Sequence, residues 1–201
     1  MEKFAQLTGK TCPLLLPNVN TDQIVPARYL KLPRAAGLGP VLFHDLRRDP
    51  DGNEKADFPL NQPVWRDAAI LIAGRNFGGG SSREAAAFAF DAYGIRCVIA
   101  VSFGDIFYNN CPKNGILAIR LPEQIAELLR KQLHAHPGAK LTVDLPAQNV
   151  TDVDGGTHAF DIDPFRKHCL VEGLSQIKLT LRHSDEIDAF ERRYRETVTW
   201  I

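Results

Sequence analysis

The densest chemistry in the sequence lies in Gly74-Arg75-Asn76-Phe77-Gly78-Gly79-Gly80-Ser81-Ser82-Arg83-Glu84. Three consecutive glycines let a ligand come close to the backbone. The unpaired N–H groups that open a helix favour an anion, and an adjacent arginine can grip a carboxylate through two parallel hydrogen bonds. Together these features describe a carboxylate-binding turn. A serine there could act as a base, because its alkoxide, ordinarily too costly at neutral pH, would be stabilised by helix-end N–H groups and the cation. Two phosphate motifs fail. Walker A needs Gly-Lys-Ser/Thr after its loop and no Lys is present, and the dinucleotide fingerprint needs a glycine where Arg83 stands. A purely structural reading stays open, with Ser81 as N-cap, Glu84 as its capping-box partner and the glycines serving only a tight turn. That reading leaves Arg83 and the second serine unexplained.

The elements that must carry this turn follow from the apolar pattern. Residues 68–73 and 97–101 are short apolar runs, as buried strands are. Between them residues 82–93 are rich in Ala, and Gly94 stands where a helix stops. Strand, turn, helix, glycine, strand is a βαβ unit, which predicts parallel strands and a right-handed crossover. Residues 12–16 and 116–119 read as two more strands, and 122–134 as a helix with Pro at its first turn. Residues 141–145 alternate as a strand, with 158–162 returning antiparallel after Asp154-Gly155-Gly156. A surface helix is predicted over about 184–196, acidic at its start and basic at its end. Residues 28–61 form the longest stretch without regular pattern, and such loops tend to be functional or mobile. With no internal repeat or linker, the sequence predicts one α/β domain over residues 1–201.

The 201 residues carry 24 basic and 24 acidic side chains. A net charge of zero provides no overall field to attract nucleic acid or an anionic membrane surface. No apolar run is long enough to span a membrane. The amino terminus lacks the apolar run of a signal peptide, so a cytoplasmic location is expected. Cys12, Cys97, Cys111 and Cys169 form no Cys-x-x-Cys pair and no zinc-finger spacing, so no metal or cluster site is expected in this chain. They read as reduced, buried thiols. The six histidines are scattered, and His134 and His136, two apart, would face different sides of a helix.

Several segments together resemble the small-subunit family of 3-isopropylmalate dehydratase, within the aconitase superfamily. They are Asn18-Val19-Asn20-Thr21-Asp22-Gln23-Ile24-Val25-Pro26-Ala27-Arg28-Tyr29-Leu30, the glycine-rich turn, Ser102-Phe103-Gly104-Asp105-Ile106-Phe107, Asn109-Asn110-Cys111-Pro112-Lys113-Asn114-Gly115 and Asp163-Pro164-Phe165-Arg166-Lys167-His168-Cys169-Leu170. The resemblance implies an aconitase-like swivelling β/α domain, its mixed, mainly parallel sheet flanked by helices. It implies a hydro-lyase active only with a large subunit that holds a 4Fe-4S cluster, this chain binding no cofactor. The implied reaction interconverts 2-isopropylmalate and 3-isopropylmalate through 2-isopropylmaleate, in leucine biosynthesis. The substrate is thus a small dicarboxylate hydroxy acid.

Carried over residue by residue, the resemblance makes Ser81 the base and Arg83 a substrate-binding catalytic residue, with Ser82 and Gly80 contributing to substrate binding. Asp22 either orients a catalytic group or forms an Asx turn. Arg28 is either a second carboxylate clamp or a solvated loop arginine. Leu30 and Leu32 lie where the family reads the substrate's variable group and would suit an isopropyl group. Within the superfamily a homoaconitase or a citraconate or dimethylmalate hydratase subunit remains open, since Arg28, Lys31 and Arg34 could meet an extra carboxylate. A non-catalytic anion-binding domain is the alternative from another class.

Overall fold

The computed structural model describes residues 1–14, 16–33, 37–80, 83–198 and 200. Seven strands form one sheet in the order β4-β3-β2-β1-β5-β6-β7, where β1 is Gln6–Leu14, β2 Ile70–Ala73, β3 Cys97–Ala100, β4 Leu117–Arg120, β5 Lys140–Asp144, β6 Asn149–Thr151 and β7 Thr157–Ala159. β1 joins two halves. Its Thr11–Leu14 segment pairs parallel with β2, and its Gln6–Lys10 segment pairs antiparallel with β5. The strands β1 to β4 are mutually parallel, whereas β5, β6 and β7 pair antiparallel. The mixed sheet flanked by helices is as expected, with parallel pairing concentrated in one half.

Every residue of β2 and β3 is buried, because helices cover both faces. Alternation divides their side chains between two cores. Leu71, Ala73, Val98 and Ala100 face one, and Ile70, Ile72, Cys97 and Ile99 face the other. The first core packs beneath α3 (Glu84–Tyr93) and α4 (Asp105–Lys113) and contains Phe43, Phe77, Phe90 and Phe107. Leu129 and Leu133 of α5 (Glu123–Ala135) and Leu170 of α6 (Pro164–Glu172) enter the second.

Three expectations change. β1 starts at Gln6 rather than residue 12, since its first half alternates exposed and buried positions instead of forming an apolar run. The strand returning beside β5 is the short β6, and the Asp154-Gly155-Gly156 turn leads from β6 into β7. Helix α3 opens at Glu84 with Arg83 as N-cap and no capping side-chain bond. Glu84 is therefore the first helical residue and cannot close a capping box from the third position. Its carboxylate instead accepts from Asn114 Nδ2 at 3.2 Å. Ser81, the expected N-cap, lies outside the described residues. Gly94 ends α3 in the left-handed region, at φ 99°, and donates its N–H to Phe90 and Asp91 carbonyls.

The stretch 28–61 is more ordered than its pattern suggests. Short 3-10 turns at Ala27–Tyr29, Gly39–Val41 and Pro59–Asn61 accompany α2 (His44–Arg47). Leu42, Phe43 and Leu60 anchor it in the core. Arg47, itself buried, donates from Nε to Asn61 Oδ1 at 2.9 Å, and Asn61 returns a bond to the Arg47 carbonyl. Burial pushes the Arg47 guanidinium below its ordinary pKa.

Candidate active site

The glycine-rich turn leaves the carboxyl end of β2 and runs between the segments that follow β1 and β3. Ligand sites of open α/β sheets lie at such strand ends. On one side Gly78 donates to the Val19 carbonyl at 2.7 Å, and Thr21 donates to the Gly79 carbonyl at 2.9 Å. On the other, Phe77 donates to the Ser102 carbonyl at 2.9 Å, and Gly104 donates to the Phe77 carbonyl at 2.8 Å. The Asn76 N–H is taken by Ser102 Oγ at 2.8 Å. The N–H groups of Asn76, Phe77 and Gly78 are thus used internally.

Two of the glycines answer to packing. A Cβ on Gly78, at φ +72°, would fall 2.4 Å from Phe107 Cγ. A Cβ on Gly104 would fall 2.5 Å from the Gly78 carbonyl oxygen. Gly80, also at positive φ (+103°), faces Thr21 more loosely. Phe77 of the turn, Phe103 of the segment after β3 and Phe107 of α4 lie edge-on or stacked at 5.6–6.4 Å between ring centroids.

Arg83 stands at the opening of α3 and donates from Nη1 to Asp22 Oδ1. Its side chain is 17% exposed and that of Asp22 52%, so a mostly enclosed guanidinium is presented at an open face. Asp22 belongs to the single-turn α1, Thr21–Ile24. Asn20 caps that turn with its side chain accepting from Gln23 N, and Gln23 Oε1 accepts from Asn20 N at 2.9 Å. An Asx-type cap therefore exists here, formed by Asn20 rather than Asp22. The spacing Asn20-x-x-Gln23 is a legible capping-box signal and could have been found from sequence.

The sequence-assigned residues thus divide. Gly80, Arg83 and Asp22 come together around the turn. Ser81 and Ser82 lie outside the described residues. Arg28 sits in a different cluster, its fork bonded to both oxygens of Asp45, with one contact of 2.9 Å. The Arg28 guanidinium, helped by His44, holds the Asp45 carboxyl at about 2, below the usual carboxylate range. Leu30 and Leu32 follow this cluster, each 40% exposed. Arg34 lies outside the described residues. Sequence reasoning missed His44 and Asp45, which have no local signal.

The four cysteines are free and buried. Burial pushes the Cys12, Cys97 and Cys111 thiols far above their usual pKa. Separate, enclosed thiols of this kind do not fit an iron-sulfur cluster, whose ligands are converging thiolates. Among the described residues, no group of three or more His, Cys, Asp or Glu side chains is placed to hold a metal ion. None of the helices there is long and apolar enough to cross a membrane.

Comparison with known proteins gives this arrangement a class. The Aconitase C-terminal domain family matches residues 1–124, the family described as LeuD_N matches 127–164, and the family of the C-terminal domain of 3-isopropylmalate dehydratase small subunits matches 177–200. Fold and turn are those of an aconitase-type C-terminal domain. The 3-isopropylmalate dehydratase small subunit of Rhodospirillum centenum is 54% identical over 200 residues, covering all of this chain and 98% of that one. That of Roseobacter denitrificans is 51% identical over the full 201 residues of both. The chain belongs to the family of 3-isopropylmalate dehydratase small subunits. The crystal structure of a 3-isopropylmalate dehydratase from Methanocaldococcus jannaschii superposes with a TM-score of 0.65 at 24% identity, covering 92% of this chain and 99% of that one. At that identity the likeness bears on the fold alone.

Proposed function

We propose that this chain supplies the base and a carboxylate grip for the interconversion of 2-isopropylmalate and 3-isopropylmalate, acting in the cytoplasm with an iron-sulfur large subunit. The observation that carries the reading is the Arg83 guanidinium, enclosed at the opening of α3 and anchored by Asp22, in a chain about half identical to its relatives along its whole length. Arg83 binds a substrate carboxylate through donors that Asp22 leaves free. Asp22 fixes the direction of the fork. Ser81, two residues earlier, takes the C–H proton from the carbon beside the one bearing the hydroxyl. Gly80 and Ser82 shape the turn around the carboxylate. The cluster of the large subunit supplies a Lewis acid for the departing hydroxyl.

Arg28 supports the isopropyl substrate over one with a further carboxylate. Its fork is committed to Asp45, so it offers no free clamp of its own and instead secures the loop carrying Leu30 and Leu32. Those side chains read the alkyl group. The test is to co-express the chain with an iron-sulfur large subunit, purify the complex without oxygen, and assay 2-isopropylmalate, citraconate and homocitrate side by side. Activity in the complex with 2-isopropylmalate preferred is expected. Preference for homocitrate would overturn the substrate assignment, and no activity with any of the three would overturn the reaction.

A further inference from the structure

The cluster around Arg28 contains a chain of hydrogen bonds that the reaction itself does not call for. His44 Nδ1 lies 3.0 Å from Asp45 Oδ1, and His44 Nε2 lies 2.9 Å from the Tyr29 hydroxyl. The Asp45 carboxylate, paired with Arg28, can only accept. Nδ1 also lies 3.2 Å from Arg28 Nη2, which can only donate, so both tautomers keep the chain closed: a proton on Nδ1 goes to Asp45 while Nε2 accepts from the Tyr29 O–H, and a proton on Nε2 goes to the Tyr29 oxygen while Nδ1 accepts from Arg28. The Tyr29 ring is also confined on its surface, with the Arg28 guanidinium carbon 4.7 Å from its centroid and the His44 ring 4.9 Å away.

This chain is fixed both at His44 and at Tyr29. Phe43, which precedes His44, is held in the left-handed region, at φ 54°, a conformation uncommon for a bulky residue. Complete burial among Phe58, Phe77 and Phe90, at 5.7–6.3 Å between ring centroids, enforces it. Phe77 belongs to the glycine-rich turn. At the Tyr29 end, Leu32 donates its N–H to the Tyr29 carbonyl at 3.0 Å, so the exposed turn bearing Leu30 and Leu32 hangs from Tyr29. A continuous path runs from the catalytic turn through Phe77, Phe43, His44 and Tyr29 to the two leucines.

We propose that the Asp45–His44–Tyr29 hydrogen-bond chain sets the position of the alkyl-reading turn relative to the catalytic turn, making His44 and Tyr29 positioning residues that determine side-group specificity. This rests on the assignment of Leu30 and Leu32 to substrate reading made above. An apolar pocket discriminates between alkyl groups only if its walls stay in place. Losing the hydroxyl or the imidazole frees Tyr29 to move, and with it Leu30 and Leu32. Binding of the branched substrate weakens, while proton transfer at Ser81 is unaffected.

The experiment uses the purified two-subunit enzyme and two hydration substrates that differ only in the alkyl group, 2-isopropylmaleate and citraconate. In Tyr29→Phe and His44→Ala, the ratio of kcat/KM for the two should fall roughly tenfold, through KM for the isopropyl substrate, with its kcat nearly unchanged. His44→Gln can donate to Asp45 and accept from Tyr29 as the imidazole does, and should restore most of the ratio. If wild type discriminates and both Tyr29→Phe and His44→Ala keep its ratio, the positioning role is wrong. A parallel loss of kcat for both substrates in those variants would also overturn it, because that marks general damage rather than lost specificity. A wild-type complex inactive on 2-isopropylmaleate, or one that does not favour it over citraconate, would instead refute the reading of the site on which the proposal rests.

Discussion

Arg83 has five donors and Asp22 uses one side of its fork, so under the proposed function the remaining donors are the ones that hold the substrate carboxylate. A lysine could keep a contact with Asp22 but not present two parallel bonds. Arg83→Lys should therefore raise KM roughly tenfold or more, measured by steady-state assay of the complex, with assembly unchanged by gel filtration. Near-normal KM would remove Arg83 from carboxylate binding. The Asp45 carboxyl behaves differently. Its folded pKa is depressed to about 2, so the stability it contributes is present above its unfolded value and is lost only as pH falls from about 4 toward 2. The loop contact to Arg28 thus persists through the neutral range. Thermal melts of wild type and Asp45→Asn should keep a constant separation above about pH 5 and converge only in acid. Convergence near neutrality would contradict the pairing.

Among the elements, the glycine-rich turn is the least tolerant of change. Gly78→Ala would drive a methyl group into the Phe107 ring at a positive φ, and overpacking of this kind costs about 1–3 kcal/mol. A lowered denaturation midpoint together with lost activity is expected, whereas a neutral result would show that the turn is not packed against α4 as described. The parallel half of the sheet was legible because Ile70–Ala73 and Cys97–Ala100 are buried on both faces and read as apolar runs. β6 was not, since only Val150 of its three residues is buried and nothing in so short a segment announces a strand. The site shows the same division. Arg83 was readable from its place beside three glycines, but its partner Asp22 is 61 positions away, and the bonds from Arg28 to Asp45 cross 17. The first contact is created by the sheet, which brings the ends of β1 and β2 together, and the second by the folding of the β1–β2 connection on itself, and no local pattern contains either.

At the scale of the molecule, one sheet joins all seven strands, and we propose that it unfolds as a single unit. The carboxyl-terminal helix, Ser184–Thr197, buries none of its residues, and removing residues 184–201 should leave that cooperative transition nearly unmoved by calorimetry. A large loss of stability would mean that this helix packs on the sheet domain. The central proposal is that the base of the reaction resides in this chain while the Lewis acid resides in its partner. It is tested most directly by pairing one preparation of the iron-sulfur large subunit with wild-type or Ser81→Ala small subunit and measuring kcat for 2-isopropylmalate in the isolated complexes. Complexes of equal yield are expected, with a loss of about 10²–10⁴-fold in kcat for the variant. Substantial turnover by the Ser81→Ala complex would contradict the proposal and place the base elsewhere.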